Sequence, residues 1–560
     1  MNKLLKVVAL SLALVLVLCA CGGSKTEPAQ PSQPAQTSQP AQTTPQGNVA
    51  QPAAPAAPAG ADNTKSARDT IKLTLNQVVE TLNPFDSGAI IDWQCFTQLY
   101  ETLFFIEGDR MEPRLGTEWE ALDDGMTYRV KINHDAKFHN GDPLTTEDVA
   151  WSLQYALIDG PYTRRRTNIP NLDYAKVIDD DTVEIKCTET DASFIRKIFM
   201  NGYILSKKEF LAAEEKGITG TEWVPWGTGP YVITSYNPDA EIKFTAFPDY
   251  YRGEARIKNV EISILADNNT ITVGFEAGDI DFIVVPTAAW ENLSNNSNYN
   301  TFLSPTNHTS FIHININSPH KCLADKRVRK ALAYAINREA MCIAAYDGLA
   351  TPAYSYFNPV NVYGAFTPEE LKANNVEVYE YDPEKAKALL AEAGYADGCD
   401  IGEVDTINGS YWGKMSTVFQ SNLKDIGVKA EITLYDSAQC RQLRKDHDYD
   451  LSTTGTNMSP DASYAYSYFR YLTDEQLASG LYTEVFPQDK ELDAAFVKAM
   501  SDPDEDQRRL DWIEVNRIMQ DQCYSIPTFH KAIPYAFNKD LVCEEINTNY
   551  YYVYNFYWAN

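Results

Sequence analysis

The 560-residue chain has little positive charge. It carries 48 Lys and Arg against 77 Asp and Glu, a formal net charge of −29. Nucleic acid and anionic lipid surfaces reward clustered cations, so neither is expected as a partner. Histidine is scarce, with 7 in the whole chain. His134 and His139 beside Asp135 lack the HExxH spacing, and a lone pair of histidines is too unspecific to assign a metal. No GxSxG elbow is present, and Ser410 in Asn408-Gly-Ser-Tyr-Trp-Gly413 has no motif partner. Gly227-Thr-Gly229 continues as Pro-Tyr-Val, without the third glycine of a dinucleotide fingerprint or the lysine of a P-loop. It reads as a tight turn. With no nucleophile–base constellation and no cofactor motif, the expectation is a protein that is not an enzyme and needs no cofactor.

Long apolar runs are also missing, with one exception. Lys3 and Lys6 precede an apolar stretch from Val7 to Leu18 that only Ser11 interrupts. Twelve residues is short of the roughly 20 that span a bilayer, and suits the apolar region of a signal peptide. The run ends in Leu18-Cys19-Ala20-Cys21-Gly22-Gly23. A small residue before a cysteine resembles the bacterial lipobox, which makes 1–20 a signal peptide and Cys21 the lipidation site. Residues 24 to about 66 are Pro, Ala, Gln, Ser and Thr, including PAQ-PSQ-PAQ-TSQ-PAQ. That composition buries little and favours extended segments, so 21–66 reads as a lipidated cysteine and a disordered tether. The first 21 residues contribute +2 and residues 22–66 contribute zero, which leaves −31 on the body. Eight cysteines follow the leader, at 95, 187, 322, 342, 399, 440, 523 and 543. Their even number permits disulfides, but wide spacing fixes no pairing.

What the body does contain is strands and amphipathic helices mixed throughout, without tandem repeats. Ile71-Lys-Leu-Thr-Leu alternates as a half-buried strand does. So do Tyr128/Val130/Ile132, Val183/Ile185/Cys187, Val260/Ile262/Ile264 and Ile312/Ile314/Ile316. In Val328-Arg-Lys-Ala-Leu-Ala-Tyr-Ala-Ile336 the apolar positions 328, 331, 332, 335 and 336 share a helical face, with Asp325 placed as N-cap. Asp382-Pro383 and Gly394 bracket another helix. The class is α/β.

Several motifs then recur in one order: Thr81-Leu-Asn-Pro84, Gln98-Leu-Tyr-Glu-Thr-Leu103, Asp123-Asp-Gly-Met-Thr-Tyr128, Lys137-Phe-His-Asn-Gly-Asp-Pro-Leu-Thr-Thr-Glu-Asp-Val149, Trp226-Gly-Thr-Gly-Pro-Tyr231, Pro248-Asp-Tyr-Tyr-Arg-Gly253, Gly278-Asp-Ile-Asp281 and Asp325-Lys-Arg-Val-Arg-Lys-Ala-Leu332. In this order they resemble the bacterial extracellular solute-binding proteins of the peptide/nickel ABC-importer group. The resemblance implies a two-lobed periplasmic-binding-protein-like fold of type II, in the large peptide-binder cluster. Lobe I is expected over 67–306, with an extra subdomain at about 106–205. Lobe II is expected over 307–528, and 529–560 returns to lobe I. It also implies that Phe138-His139-Asn-Gly is a structural turn. The implied protein is a monomer, lipid-anchored on the extracellular face of the cytoplasmic membrane, that hands small peptides to ABC permease subunits.

Peptide-binding members hold the ligand ammonium with an aspartate in a W-x-x-D-x-x-D-P type segment of lobe II. The matching stretch here is Thr453-Thr-Gly-Thr-Asn-Met-Ser-Pro-Asp461. Thr454 stands for the tryptophan, Thr456 for the aspartate, and Ser459-Pro460 for Asp-Pro. Three readings stay open: an ammonium held elsewhere, by Asp461 or Asp436; a peptide anchored through its backbone or without a free ammonium; or a non-peptide solute such as a nickel chelate, an oligosaccharide or an opine. A peptide-sensing receptor with the same pocket is a further alternative. The candidate ligand-binding residues are Ser87 and Gly88 in the early loop, Tyr411 and Trp412 as an aromatic wall in a Gly-bounded loop, and Gly455, Thr456, Asn457, Met458, Ser459 and Asp461.

Overall fold

The computed structural model describes residues 66–559, apart from 88–89, 108–109, 123–124, 162–170, 189–190, 192, 219–222, 409–410, 458–460, 479–480, 486–487, 503 and 545–551. The leader, Cys21 and the Pro-rich stretch lie outside the described residues, as do Gly88, Met458 and Ser459.

One mixed sheet carries eleven strands: β1 (Thr70–Leu75), β2 (Tyr231–Asn237), β3 (Glu241–Ala246), β4 (Asn259–Ile264), β5 (Phe282–Val284), β6 (Tyr299–Ile314), β7 (Thr351–Pro352), β8 (Asp400–Ile407), β9 (Lys429–Tyr435), β10 (Leu451–Asn457) and β11 (Ser525–Asn538). Their spatial order is β9-β8-β10-β6-β11-β5-β1-β4-β3-β2, with β7 beside β11. One end is built on β1, which runs parallel to β4 and β5. The other is built on β8, parallel to β9 and β10. Only β6 and β11 belong to both. Sixteen and fourteen residues long, they reach roughly 45–50 Å at about 3.3 Å per residue, enough to cross two lobes.

The antiparallel pairing of β6 and β11 shifts register twice, and the wider break lies between the two ends. It runs from Tyr299↔Asn538 to Pro305↔Ala532 and resumes at Thr309↔His530; a smaller shift follows between Ser310↔Phe529 and Phe311↔Pro527, and the ladder ends at His313↔Ser525. Thr306, Asn307 and His308 thus face Lys531 alone. Pro305 has no N–H to continue the ladder. Thr306 Oγ1 closes the gap by donating to the Lys531 carbonyl at 2.9 Å. The fold is two-lobed α/β, and the lobes meet at this break.

Each lobe has its own core. In the first, Ile71, Leu73, Val260 and Ile262 pack with Phe96, Leu99 and Tyr100 of and just after α1 (Ile90–Leu99). The same core runs on into a four-stranded antiparallel sheet of Gly116–Ala121, Thr127–Ile132, Thr182–Cys187 and Leu172–Val177. In the second lobe, alternation along β6 feeds two cores: Ile312 and Ile314 enter one and Phe311 the other. The first lies under α2 (Lys326–Ala335), α3 (Arg338–Tyr346), α4 (Pro383–Glu392) and α5 (Tyr411–Asp425). The second lies under α7 (Tyr466–Phe469), α8 (Lys490–Ser501) and α9 (Glu505–Gln522), while α6 (Ser437–Asp446) flanks β8.

The helix signals resolve as the local chemistry dictates. Asp325 accepts from Arg327 N at 2.8 Å, and Val328, Ala331, Leu332 and Ala335 are buried. Asp382 accepts from Lys385 N, Pro383 opens α4, and Gly394 at φ +91° ends the following turn. Gly227 and Gly229 differ from the expected tight turn: neither has positive φ. A Cβ at either would strike the end of α1, 2.1 Å from Leu99 O or 2.5 Å from Gln98 O. They are small so that the chain can press against that helix end. His139 sits in a turn closed by Gly141 N donating to Phe138 O, with its ring against Phe247 and bound to Gly229 O. His134 instead pairs with Asp181 at 2.7 Å. None of the eight body cysteines is bridged among the described residues, and seven are buried. The C-terminal strand returns to the start of the body, where the Arg68 guanidinium lies 3.6 Å over Trp558 and Trp558 Nε1 donates to Thr70 O.

A polar row crosses the second lobe. Asp405, Ser452, His313 and Ser525 are direct neighbours on four adjacent strands, all buried. Arg444 donates to Glu484 at 2.8 Å and reaches Ser452 Oγ. Asp405 Oδ2 has no hydrogen-bond partner among the described residues. Burial, with Glu403 and Asp450 nearby, pushes the Asp405 carboxyl up to about 7. Its unfolded value is near 3.8, so the protonated form stabilises the fold at low pH, and that contribution is lost as pH rises through about 7. Asp405→Asn is expected to raise Tm at pH 8 by about 1–3 °C. Thermal unfolding from pH 4 to pH 9 should show the gap over the native chain growing up to pH 7 and then levelling. A pH-independent gap would reject the buried-charge explanation.

Candidate functional site

In an open α/β sheet, ligands bind beyond the carboxyl ends of parallel strands. In the second lobe those ends are Tyr435 of β9, Ile407 of β8 and Asn457 of β10, and Asn457 lies opposite His308 in the β6–β11 break. β8 ends at Ile407 and α5 begins at Tyr411. Tyr411 and Trp412 are therefore the first residues of a helix rather than part of a loop. Gly413 does not stop it, because Met415, Ser416, Phe419 and Leu423 supply a buried face that outweighs one glycine.

Tyr411 and Trp412 meet at 4.3 Å between ring centroids. Tyr346 at the end of α3 packs edge-on to Tyr411 at 5.4 Å, and Phe529 lies behind at 5.9 Å. The Tyr411 hydroxyl is 3.3 Å from His308 Nε2, which also lies 3.3 Å from Ser310 Oγ. Gly455 is opposite Ser310 on β10. A Cβ on Gly455 would come within 2.6 Å of His308 Nε2 and 2.7 Å of the Trp412 ring, so glycine is what lets the strand sit against the indole. Lys531 completes the group. Its ammonium is 3.8 Å from the Tyr411 centroid, 5.5 Å from Tyr346 and 5.8 Å from Trp412. Burial among these rings brings the Lys531 ammonium down to about 7.

The break is pinned from the other side. Asn358 Nδ2 donates to His308 O at 3.1 Å, and Thr309 Oγ1 shares a hydrogen bond with His530 Nδ1 at 2.9 Å. Burial lowers His530 to about 3, so this ring stays neutral.

Thr456 alternates to the opposite face of β10 from Gly455. Its hydroxyl meets Tyr468 OH at 3.0 Å, and the Tyr464 ring lies tilted against Tyr468 at 5.8 Å between centroids. Asp461 is buried and caps a short 3₁₀ turn by accepting from Ser463 N at 2.8 Å. Ser463 Oγ in turn touches Ser193 Oγ of the first lobe at 3.0 Å. Asp191 holds Ser193 and is itself paired with Lys197 at 2.8 Å. A second bridge joins Thr287 Oγ1 to Asp347 Oδ2 at 2.6 Å. Asp461 is thus placed at a contact between lobes. Asp436 is an exposed N-cap of α6, accepting from Gln439 N. Ser87 Oγ donates to Asp92 Oδ2 at 2.7 Å, and Asp92 also accepts from Glu80 N, tying the early loop to α1.

The structure therefore gathers Tyr411, Trp412 and Gly455 in one cluster and places Thr456 on the reverse of the same strand. Asn457 ends β10, opposite His308. Four members of the cluster escaped the reading of the sequence: His308, Tyr346, Phe529 and Lys531. Only Lys531 had a local signal, as the one cation in Ser525-Ile-Pro-Thr-Phe-His-Lys-Ala-Ile-Pro-Tyr-Ala-Phe-Asn538.

Residues 110–476 match the profile of the bacterial extracellular solute-binding proteins, family 5 Middle. The chain is 28% identical over 377 residues to the glutathione-binding protein GsiB of Escherichia coli K12, covering 67% of this chain and 71% of that one. Among solved structures it resembles HbpA2 from Haemophilus parasuis, with TM-score 0.77 and 24% identity over 87% of this chain and 99% of that one. It also resembles DppA from Helicobacter pylori in complex with the peptide STSA, with TM-score 0.71 and 19% identity over 89% and 99%. No described helix is long and apolar enough to cross a membrane. A two-lobed sheet joined by two crossover strands and a family match spanning both lobes lead to one conclusion: the chain belongs to the bacterial extracellular solute-binding proteins, family 5.

Proposed function

We propose that this protein captures small peptides between its lobes and delivers them to the permease of an ABC importer, without chemistry of its own. Lobe I is 67–306 with 529–560, lobe II is 307–528, and the break at 305–309 and 530–532 is the hinge. The observation that carries this reading is the aromatic wall of Tyr411 and Trp412, set at the carboxyl end of β8 directly beside that break. A solute lying there touches both lobes only when they close, so it stabilises the closed form. Peptides suit such a site because their N–H and C=O groups can pair with strand ends while side chains meet the rings. The glutathione named for GsiB and the peptide named for DppA support the same class. Cys21 is the lipid attachment point, and 22–66 the tether on the extracellular face of the membrane; the captured form is a monomer.

Native mass spectrometry of the purified protein, followed by a thermal-shift screen with a tripeptide library, tests the cargo. A co-purified peptide or a stabilising library member is expected. Neither appearing rejects peptides in favour of a non-peptide solute.

Two substitutions test the placement of the pocket. Gly455→Ala puts a methyl group into the His308–Trp412 contact, at an overpacking cost of about 1–3 kcal/mol. Peptide affinity, measured by calorimetry, is expected to fall at least roughly tenfold. Thr456→Asp restores a carboxylate where relatives hold the ammonium, within reach of Tyr468 OH. Free-amine peptides are expected to gain roughly tenfold, the size of one charge-assisted hydrogen bond, with N-acetylated ones unchanged. An unchanged or lower affinity would move the ammonium site away from β10.

A further inference from the structure

Lys531 lies in the register break, the one β11 residue set against Thr306, Asn307 and His308 of β6. It is half-buried, and its nearest neighbours are rings rather than acids. Among the described residues it forms no ion pair, in a chain with 77 acidic residues. Other inward lysines are paired: Lys197 with Asp191 at 2.8 Å, and Lys330 with both Glu377 and Asp521. Tyrosine and tryptophan faces attract a cation, but by far less than a carboxylate in the same place. A cation held out of water without a counter-ion is costly, and the cost is recovered when an anion arrives.

We propose that the Lys531 ammonium binds a carboxylate of the captured solute, with Tyr411 and Trp412 forming the wall along which the rest of the solute lies. This rests on the pocket assigned above. It also makes sense of Thr456. With an uncharged hydroxyl where relatives place the ammonium anchor, a zwitterionic peptide is held by its acidic end instead. The other titratable groups around Lys531 are Tyr411 of α5, Tyr346 of α3 and His308 of β6, none of which is a carboxylate. The lowered Lys531 ammonium agrees with a site completed only by its ligand. The carboxylate is that of the peptide C-terminus or of an acidic side chain, and amidation separates the two.

The test compares the native protein with Lys531→Met and Lys531→Arg, each first checked for an unliganded Tm within a few degrees of the native value. If the Met variant fails this check, Lys531→Gln replaces it. Probes are a tripeptide library with free C-termini, the same library C-terminally amidated, and the amidated library with every Glu and Asp replaced by Gln and Asn. The native protein is expected to bind free acids at least roughly tenfold more tightly than fully uncharged amides. The Met variant should lose that preference by weakening for acids alone, while the Arg variant keeps most of it. Tight, Lys531-dependent binding of amides that contain Glu or Asp would assign the side chain as the source. Acids bound by the Met variant within twofold of native would overturn the proposal. If no library binds the native protein, peptide capture fails separately. The anchor is then judged on citrate, glutarate and N-carboxymethyl-lysine: a shift lost in the Met variant supports it, and no shift with any of them overturns it.

Discussion

Two strands have to satisfy main-chain hydrogen bonding in two lobes at once, and the architecture follows from how β6 and β11 manage it. On the first-lobe side they pair from Tyr299↔Asn538 to Pro305↔Ala532, and β5 adds to β11 through Phe282↔Phe537. On the other side they pair from Thr309↔His530 onward, and β10 adds to β6. A continuous ladder would weld the lobes into one stiff sheet. The three-against-one break removes the main-chain pairs where bending is needed. In their place are side-chain bonds from Thr306, Thr309 and Asn358, which rotate more freely than a ladder does. On its other edge β6 keeps its register with β10, where His308 lies opposite Asn457, and alternation puts His308 on the same face as Ser310, toward the aromatic cluster.

The helix that starts at Tyr411 depends on the same junction. Its buried face is fixed by the second-lobe core, so its first turn has no choice but to stand at the strand ends. Tyr411 and Trp412 are held from four directions: by Tyr346 of α3, Phe529 and Lys531 of β11, His308 of β6, and Gly455 of β10. A wall so constrained can be rigid without being sealed, because Tyr411 stays half-buried while Trp412 is covered. On the far face of β10 the environment is a different one, a group of tyrosine hydroxyls around Thr456. One strand therefore offers a ligand an aromatic side and a hydroxyl side, one residue apart.

Much of this was legible in the residues where the cause is local. Asp325 and Asp382 announce helix starts because an N-cap bond spans only two or three residues, and the alternation of Ile71 and Leu73 survives because both neighbours of β1 are apolar strands. The fold class and the order of motifs were legible too. The site was only partly so. Tyr411 and Trp412 were recognisable as large aromatics between glycines, but the loop assigned to them is a helix, because the residues that enforce it, Phe419 and Leu423, lie two and three turns on. Gly227 and Gly229 looked like a turn, yet their smallness answers to Leu99, over a hundred residues earlier. Lys531 stands out locally as the one cation of its strand, but its role is not local: its surroundings come from positions 346, 411 and 412. Asp461 has a role that its sequence position does not reveal: it caps the turn that carries Ser463 to Ser193 of the other lobe.

The body carries −31, and an anionic group approaching it is repelled at long range. At physiological salt that field decays over about 8 Å, so it slows approach more than it weakens a contact made inside the site. At contact the local groups decide, and over the Tyr411 ring that group is the Lys531 ammonium. Acidic surface and cationic pocket are therefore compatible, and together they discriminate. A solute with one carboxylate and a compensating ammonium crosses the field at little cost and finds its anchor. A solute with several uncompensated negative charges meets the repulsion without a second cation to offset it. The balance favours zwitterions over polyanions, which is the charge pattern of a short peptide.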